Sequence, residues 1–118
     1  MEDVVKQLLL RNLHEVFGER DSARRRAAIQ AIYAPDARFA DPEGSHVGWD
    51  GVEMAAAALQ AATPGFVFGA LGAAEAVQNA GRLRWAYGPA GEPEKVTGMD
   101  VAVVEDGLIR QIYTFVDR

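Results

Sequence analysis

The sequence predicts an α+β fold, with N-terminal helices packed on one face of a curved, mainly antiparallel sheet. Three observations lead there. Apolar residues recur at three-to-four spacing through the first half of the chain, whereas the second half reads as strands with period-two alternation. Gly, Asn and Asp turn signals divide that second half into consecutive segments close enough to form hairpins. The 118 residues, 49% hydrophobic and 25% charged, suit one globular domain over residues 1–118.

Val5, Leu9, Leu13 and Val16/Phe17, widened by Val4 and Leu8, make the apolar stripe of a first helix that Gly18 can stop. Asp21-Ser22 offers an N-cap for a second helix carried by Ala27, Ala28, Ile29, Ala31 and Ile32 to Tyr33, ahead of Pro35. The run Arg24-Arg25-Arg26 fans around its first turns and reads as a solvated face. Ala37–Ala40 is a short strand ended by Asp41-Pro42, and a Gly-rich loop follows. Asp50 and Glu53 form a capping-box-like pair opening a third helix through Ala55–Ala62, closed by Thr63-Pro64-Gly65. The remaining strands are expected at Phe66–Val77, Arg82–Tyr87, Lys95–Val104 and Leu108–Phe115.

Composition excludes several chemistries. Cysteine is absent, which removes disulfides, thiolate nucleophiles and Cys-ligated metals. A net charge of −5 opposes nucleic-acid binding, which needs concentrated Lys and Arg, and favours a small neutral or cationic partner. Two histidines, His14 and His46, with no metal-binding motif, lead us to expect no metal. Gly69-Ala70-Leu71-Gly72 lacks the glycines and the following helix of a dinucleotide site. The apolar stretches are too short to span a bilayer and the first residues are acidic, so the expectation is a cytoplasmic protein away from membranes.

Alternation over Val96–Val104 puts Asp100 on one face with Val96, Gly98, Ala102 and Val104, where desolvation would raise its pKa. Its cross-strand neighbour depends on the Asp106-Gly107 turn. A two-residue turn sets Tyr113 opposite, with Phe115 and Gln111 on the same face; a three-residue turn with a bulge pairs Asp100 with Ile112 and puts Thr114 and Val116 on the Asp100 face instead. Asp41 is the second candidate, at a strand end beside a loop holding His46 and Trp49. Leu83, Trp85 and Tyr87 share an interior strand face. Tyr33, His46, Trp49, Trp85, Tyr87, Tyr113 and Phe115 are thus the candidate pocket residues.

Tyr33-Ala34-Pro35-Asp36-Ala37-Arg38-Phe39-Ala40-Asp41-Pro42-Glu43-Gly44-Ser45 closely resembles the ketosteroid isomerase segment that carries the general-base Asp. Gly98-Met99-Asp100 resembles the segment carrying their proton-donating Asp. The element order is similar to that of the wider superfamily of nuclear transport factor two, SnoaL-like polyketide cyclases and limonene epoxide hydrolases. The resemblance implies a cone-shaped, cystatin-like roll with an apolar cavity into which Asp41 and Asp100 reach. The tyrosine it calls for on the first helix has no counterpart in Leu13-His14-Glu15-Val16-Phe17, and the epoxide hydrolases' Arg is replaced by Gly98. Function is therefore expected to be cofactor-free binding of a small apolar molecule. The alternatives are an isomerase or cyclase using Asp41 as base and neutral Asp100 as donor, or a dimerisation module with a filled cavity. Strands apolar on both faces point to a homodimer.

Overall fold

A computed structural model describes residues 1–118. Helix α1 (Glu2–Arg11) runs into a π-helical turn (Asn12–Phe17), and α2 (Ser22–Ile32) and α3 (Gly48–Ala62) follow. The strands are β1 (Tyr33–Asp41), β2 (Gly44–Val47), β3 (Val67–Ala70), β4 (Glu75–Val77), β5 (Ala80–Gly88), β6 (Val96–Glu105) and β7 (Leu108–Val116). They form one curved sheet in the order β2-β1-β7-β6-β5-β3, with β4 also on β5. Every pairing is antiparallel except that of β1 with β7. The expected α+β architecture is present, with the core between the helices and the concave sheet face.

The apolar stripe of α1 buries Val5, Leu8 and Leu9 against β5, where Gly81 lets the helix approach. A Cβ there would lie 2.5 Å from the Val5 side chain. The stripe then widens into the π turn, whose Gly18 N–H donates to Leu13 O at 2.9 Å. The Asp21 side chain caps α2 as expected, accepting from Arg24 N at 2.8 Å.

Several elements differ from the sequence reading. β1 begins at Tyr33, directly after α2, and runs through Pro35; the Gly-rich loop is a hairpin, with β2 paired to β1 from Arg38↔Val47 to Asp41↔Gly44. The expected Phe66–Val77 strand breaks at Gly72, which has φ of +84°, into β3 and β4. The arginine run is not wholly solvated. Arg25 is buried, gives Nε and Nη2 to the two carboxylate oxygens of Glu53 at 2.8 and 2.6 Å, and gives Nη1 to Gln60 Oε1 and Glu19 O. Glu53 therefore serves as an interior ion-pair partner between α2 and α3 and not as part of a capping box; no side chain caps α3 at its N-terminus. No helix is long and apolar enough to cross a membrane.

Candidate functional site

The parallel contact of β1 with β7 assembles the site. Ala40 pairs with Tyr113, which brings Asp41, one residue on, level with Thr114, and Thr114 pairs with Asp100 on β6. Asp41, Thr114 and Asp100 are thus carried on three neighbouring strands and line one cavity of about 180 Å³ between helices and sheet. Two strand spacings, roughly 10 Å, separate the backbones that carry the two carboxyls. The lining is otherwise mostly apolar: Leu13 and Phe17 from the π turn, Leu59 from α3, and an aromatic wall that includes Phe68, Trp85 and Tyr87. Phe68 stacks on Tyr87 at 3.9 Å between ring centroids and meets the edge of Trp85 at 5.5 Å.

Asp100 is 5% exposed. Its Oδ1 accepts from Thr114 Oγ1 at 2.7 Å and from Trp85 Nε1 at 3.2 Å; Oδ2 accepts from neither. Burial pushes its pKa up to about 6, while the hydrogen bonds from Thr114 and Trp85, with a contribution from the Asn12 amide, hold it from rising further. Asn12 is itself fully buried on the π turn; its Oδ1 accepts from the Tyr33 hydroxyl at 2.5 Å, and its Nδ2 makes no hydrogen bond. Tyr33 is held well above its ordinary pKa by burial and by the Asp100 charge, so it stays a neutral phenol and keeps the proton it gives to Asn12. Gly98 makes room for this arrangement. It pairs with Trp85, and a Cβ there would lie 2.4 Å from the indole ring and 2.2 Å from Phe115 O.

Asp41 is half-buried at the strand end. Its Oδ1 accepts from the backbone N–H groups of Glu43 and Gly44 at 2.9 and 3.1 Å, closing the β1–β2 turn. The other hydroxyls of the cavity are satisfied internally: Thr63 Oγ1 donates to Leu59 O, and the Tyr87 hydroxyl donates to Thr63 Oγ1, both at 2.6 Å.

Of the candidate pocket residues, Trp85 and Tyr87 line the cavity and the other five do not. Tyr113 and Phe115 lie on the outer sheet face, 46% and 59% exposed. The reason is a β-bulge. The Asp106-Gly107 turn is the two-residue kind, both residues having positive φ, and Glu105 pairs with Leu108, but the register then slips between Val103 and Val104. Val104 pairs with Ile109 and Val103 with Gln111, which leaves Arg110 extra and reverses the faces beyond it, so Thr114 and Val116 point inward. Tyr33 is behind the cavity, bound to Asn12. Trp49 turns its Nε1 to Tyr33 O at 2.9 Å, pinning α3 to β1, and His46 packs beside Phe39 with ring centroids 6.2 Å apart. Asn12 was legible as an oddity, a polar residue four after Leu8 and four before Val16 on the apolar stripe. Neither Tyr113 nor Ile112 is the partner the turn alternatives set opposite Asp100: the bulge follows a two-residue turn, so Thr114, expected on that face only for the longer turn, pairs with Asp100 directly.

Residues 10–112 match the SnoaL-like domain profile. The chain belongs to the SnoaL-like family. Among curated proteins, none matches it. Its fold is similar to that of a candidate isomerase of the SnoaL-like family from Agrobacterium tumefaciens, with a TM-score of 0.90 and 23% identity over 98% of this chain and 99% of that one. It is also similar to a candidate ketosteroid isomerase from Kribbella flavida (TM-score 0.76, 15% identity, 99% of this chain and 80% of that one). A candidate SnoaL-like polyketide cyclase from Jannaschia sp. CCS1 gives a TM-score of 0.80 at 13% identity, over 98% and 87% of the two chains. At these identities the likeness is one of fold. The chemistry of this SnoaL-like domain has to be argued from its own cavity.

Proposed function

We propose that this SnoaL-like domain binds a small, largely apolar molecule in its cavity, with Asp100 hydrogen-bonding the ligand's polar group. One observation carries the reading: an apolar, aromatic-walled cavity whose inner wall presents a buried carboxyl with a pKa of about 6. Thr63 and Tyr87 engage one another and the backbone, and Asp41, half-buried at the strand end, commits one oxygen to its own turn, which leaves Asp100 as the buried carboxyl facing the ligand.

The same carboxyl favours a second reading, proton transfer. A carboxylate at Asp41 or Asp100 would take a proton from a carbon beside a carbonyl; the C–H electron pair becomes the enolate double bond, and the protonated carboxyl returns the proton to the substrate. At pH 7 about a tenth of Asp100 would be protonated, so the unliganded domain holds it mostly as a base, and below pH 6 mostly as a donor. The neighbouring isomerase and cyclase candidates are in keeping with such chemistry. Deuterium uptake next to the carbonyl of cyclohexanone, followed by NMR in heavy water, separates the two. Faster uptake with the native domain than with Asp100→Asn establishes turnover. Binding of the ketone without uptake leaves the domain a binding module, and absence of both overturns the proposal.

A further inference from the structure

The cavity's size and its few unclaimed polar atoms, the Oδ2 oxygens of Asp100 and Asp41, say more about the occupant than that it is apolar. A cavity of about 150 Å³ holds one benzene ring. At about 180 Å³ this one has space for a single ring and a substituent. The aromatic wall resists enlargement, since Phe68, Tyr87 and Trp85 brace one another and the Tyr87 hydroxyl is tied to α3's end through Thr63.

Charge narrows the class further. No Lys, Arg or His lines the cavity, and its only ionisable groups besides the Tyr87 phenol are the two carboxyls. A carboxylate or phosphate would enter with no counter-charge and face two acids. An ammonium would bring three donors, for which only two acceptors are free, Asp41 Oδ2 and Asp100 Oδ2, carried on backbones two strand spacings apart, leaving N–H groups unpaired. One hydroxyl donates to one carboxylate oxygen, Asp100 Oδ2, or one carbonyl accepts from it when Asp100 is protonated; neither Trp85 nor Thr114 occupies that oxygen.

We infer that the ligand is an uncharged compound bearing one hydroxyl or carbonyl, a phenol or cyclic ketone, whose single ring is what the cavity encloses, so that multi-ring molecules bind more weakly. This rests on the binding reading above. The two tryptophans supply the test, because Trp85 Nε1 lies in the cavity and Trp49 Nε1 is bound to Tyr33 O outside it. Phenol, 2-naphthol, a four-ring phenolic steroid, benzoate and benzylamine are titrated against the native domain while both indole N–H resonances are followed. The expected result is a shift at Trp85 alone, reached with phenol at a concentration roughly tenfold or more below that of any other probe. The Ala55→Phe variant, which fills the cavity from α3, should lose the phenol shift while keeping the native circular dichroism. A larger or charged probe that shifts Trp85 as readily as phenol overturns the size and charge inference yet leaves ligand binding standing. Silence of Trp85 with every probe overturns both.

Discussion

At Asp100, burial and hydrogen bonding pull in opposite directions, and burial wins by about two pKa units. The sign of the consequence follows. In the unfolded chain the carboxyl ionises near its ordinary value, so between about pH 4 and pH 6 the folded state binds more protons. The stability Asp100 contributes is present in acid and is lost as pH rises through 6, by about 3 kcal/mol at full effect. Asp100→Asn, which keeps an acceptor for Trp85 and Thr114, should therefore stabilise the domain at pH 7.5 by about 2–3 kcal/mol and change little at pH 4, as measured by urea unfolding at the two values. A stability difference that is the same at both would mean the carboxyl is not desolvated. Asn12 acts on the same equilibrium. Its amide has the Tyr33 hydroxyl on one side and Asp100 on the other, so Asn12→Leu should move the Asp100 carboxyl-carbon titration above pH 6. Asp41 is absent from the causes of the Asp100 shift; two strand spacings keep the two carboxyls apart.

Between elements, the least conspicuous residues in the sequence hold the most. Arg25 is the middle of three arginines and reads as surface, yet it is 4% exposed and joins α2 to Glu53 and Gln60 of α3 and to Glu19 O. Gln60 in turn donates to Phe17 O and Glu19 O, so the clamp also fixes the end of the π turn. Arg25→Met strands the buried Glu53 charge and should cost about 3–5 kcal/mol, whereas Arg25→Met combined with Glu53→Leu should recover most of that; thermal or urea unfolding of both variants checks it. The helices were legible because their apolar stripes repeat every three to four residues, and β5 and β6 because they alternate. Arg25 stood on the stripe, three, four and seven residues before Ala28, Ile29 and Ile32, but its charge read as solvated because its partners Glu53 and Gln60 lie on another helix. The Thr114 face was legible only as one of two alternatives, because one bulged residue reverses every side chain beyond it and the sequence does not place the bulge. Asp41 and Asp100 were legible as candidates through the resemblance to the isomerase segments and the odd place of an acid in an apolar strand. That they share a cavity required the parallel β1–β7 contact, a pairing of residues more than seventy apart that no local pattern encodes.

The whole molecule has two apolar sheet faces and only one set of helices. The concave face is covered and holds the cavity; the convex face presents Met99, Val101 and Val103 of β6, half-buried, beside Tyr113 and Phe115 of β7, exposed. The bulge that withdraws Tyr113 and Phe115 from the cavity is what places them here. Ion pairs edge this strip, Arg84 with Asp117 at 2.8 Å and Arg82 with Glu75 at 3.0 Å, giving an apolar centre with a polar rim. We propose a second copy of the chain as its cover, because a two-fold axis through the strip would set the same apolar residues against each other and carry both charged edges outward. Native protein should sediment as a dimer at micromolar concentration. Tyr113→Glu with Phe115→Glu, on the face opposite the cavity, should sediment as a monomer with unchanged circular dichroism and an unchanged Trp85 resonance, since neither side chain touches the site. A native monomer under those conditions would leave the convex face without this role; a dimer that survives both substitutions would place the interface on another surface.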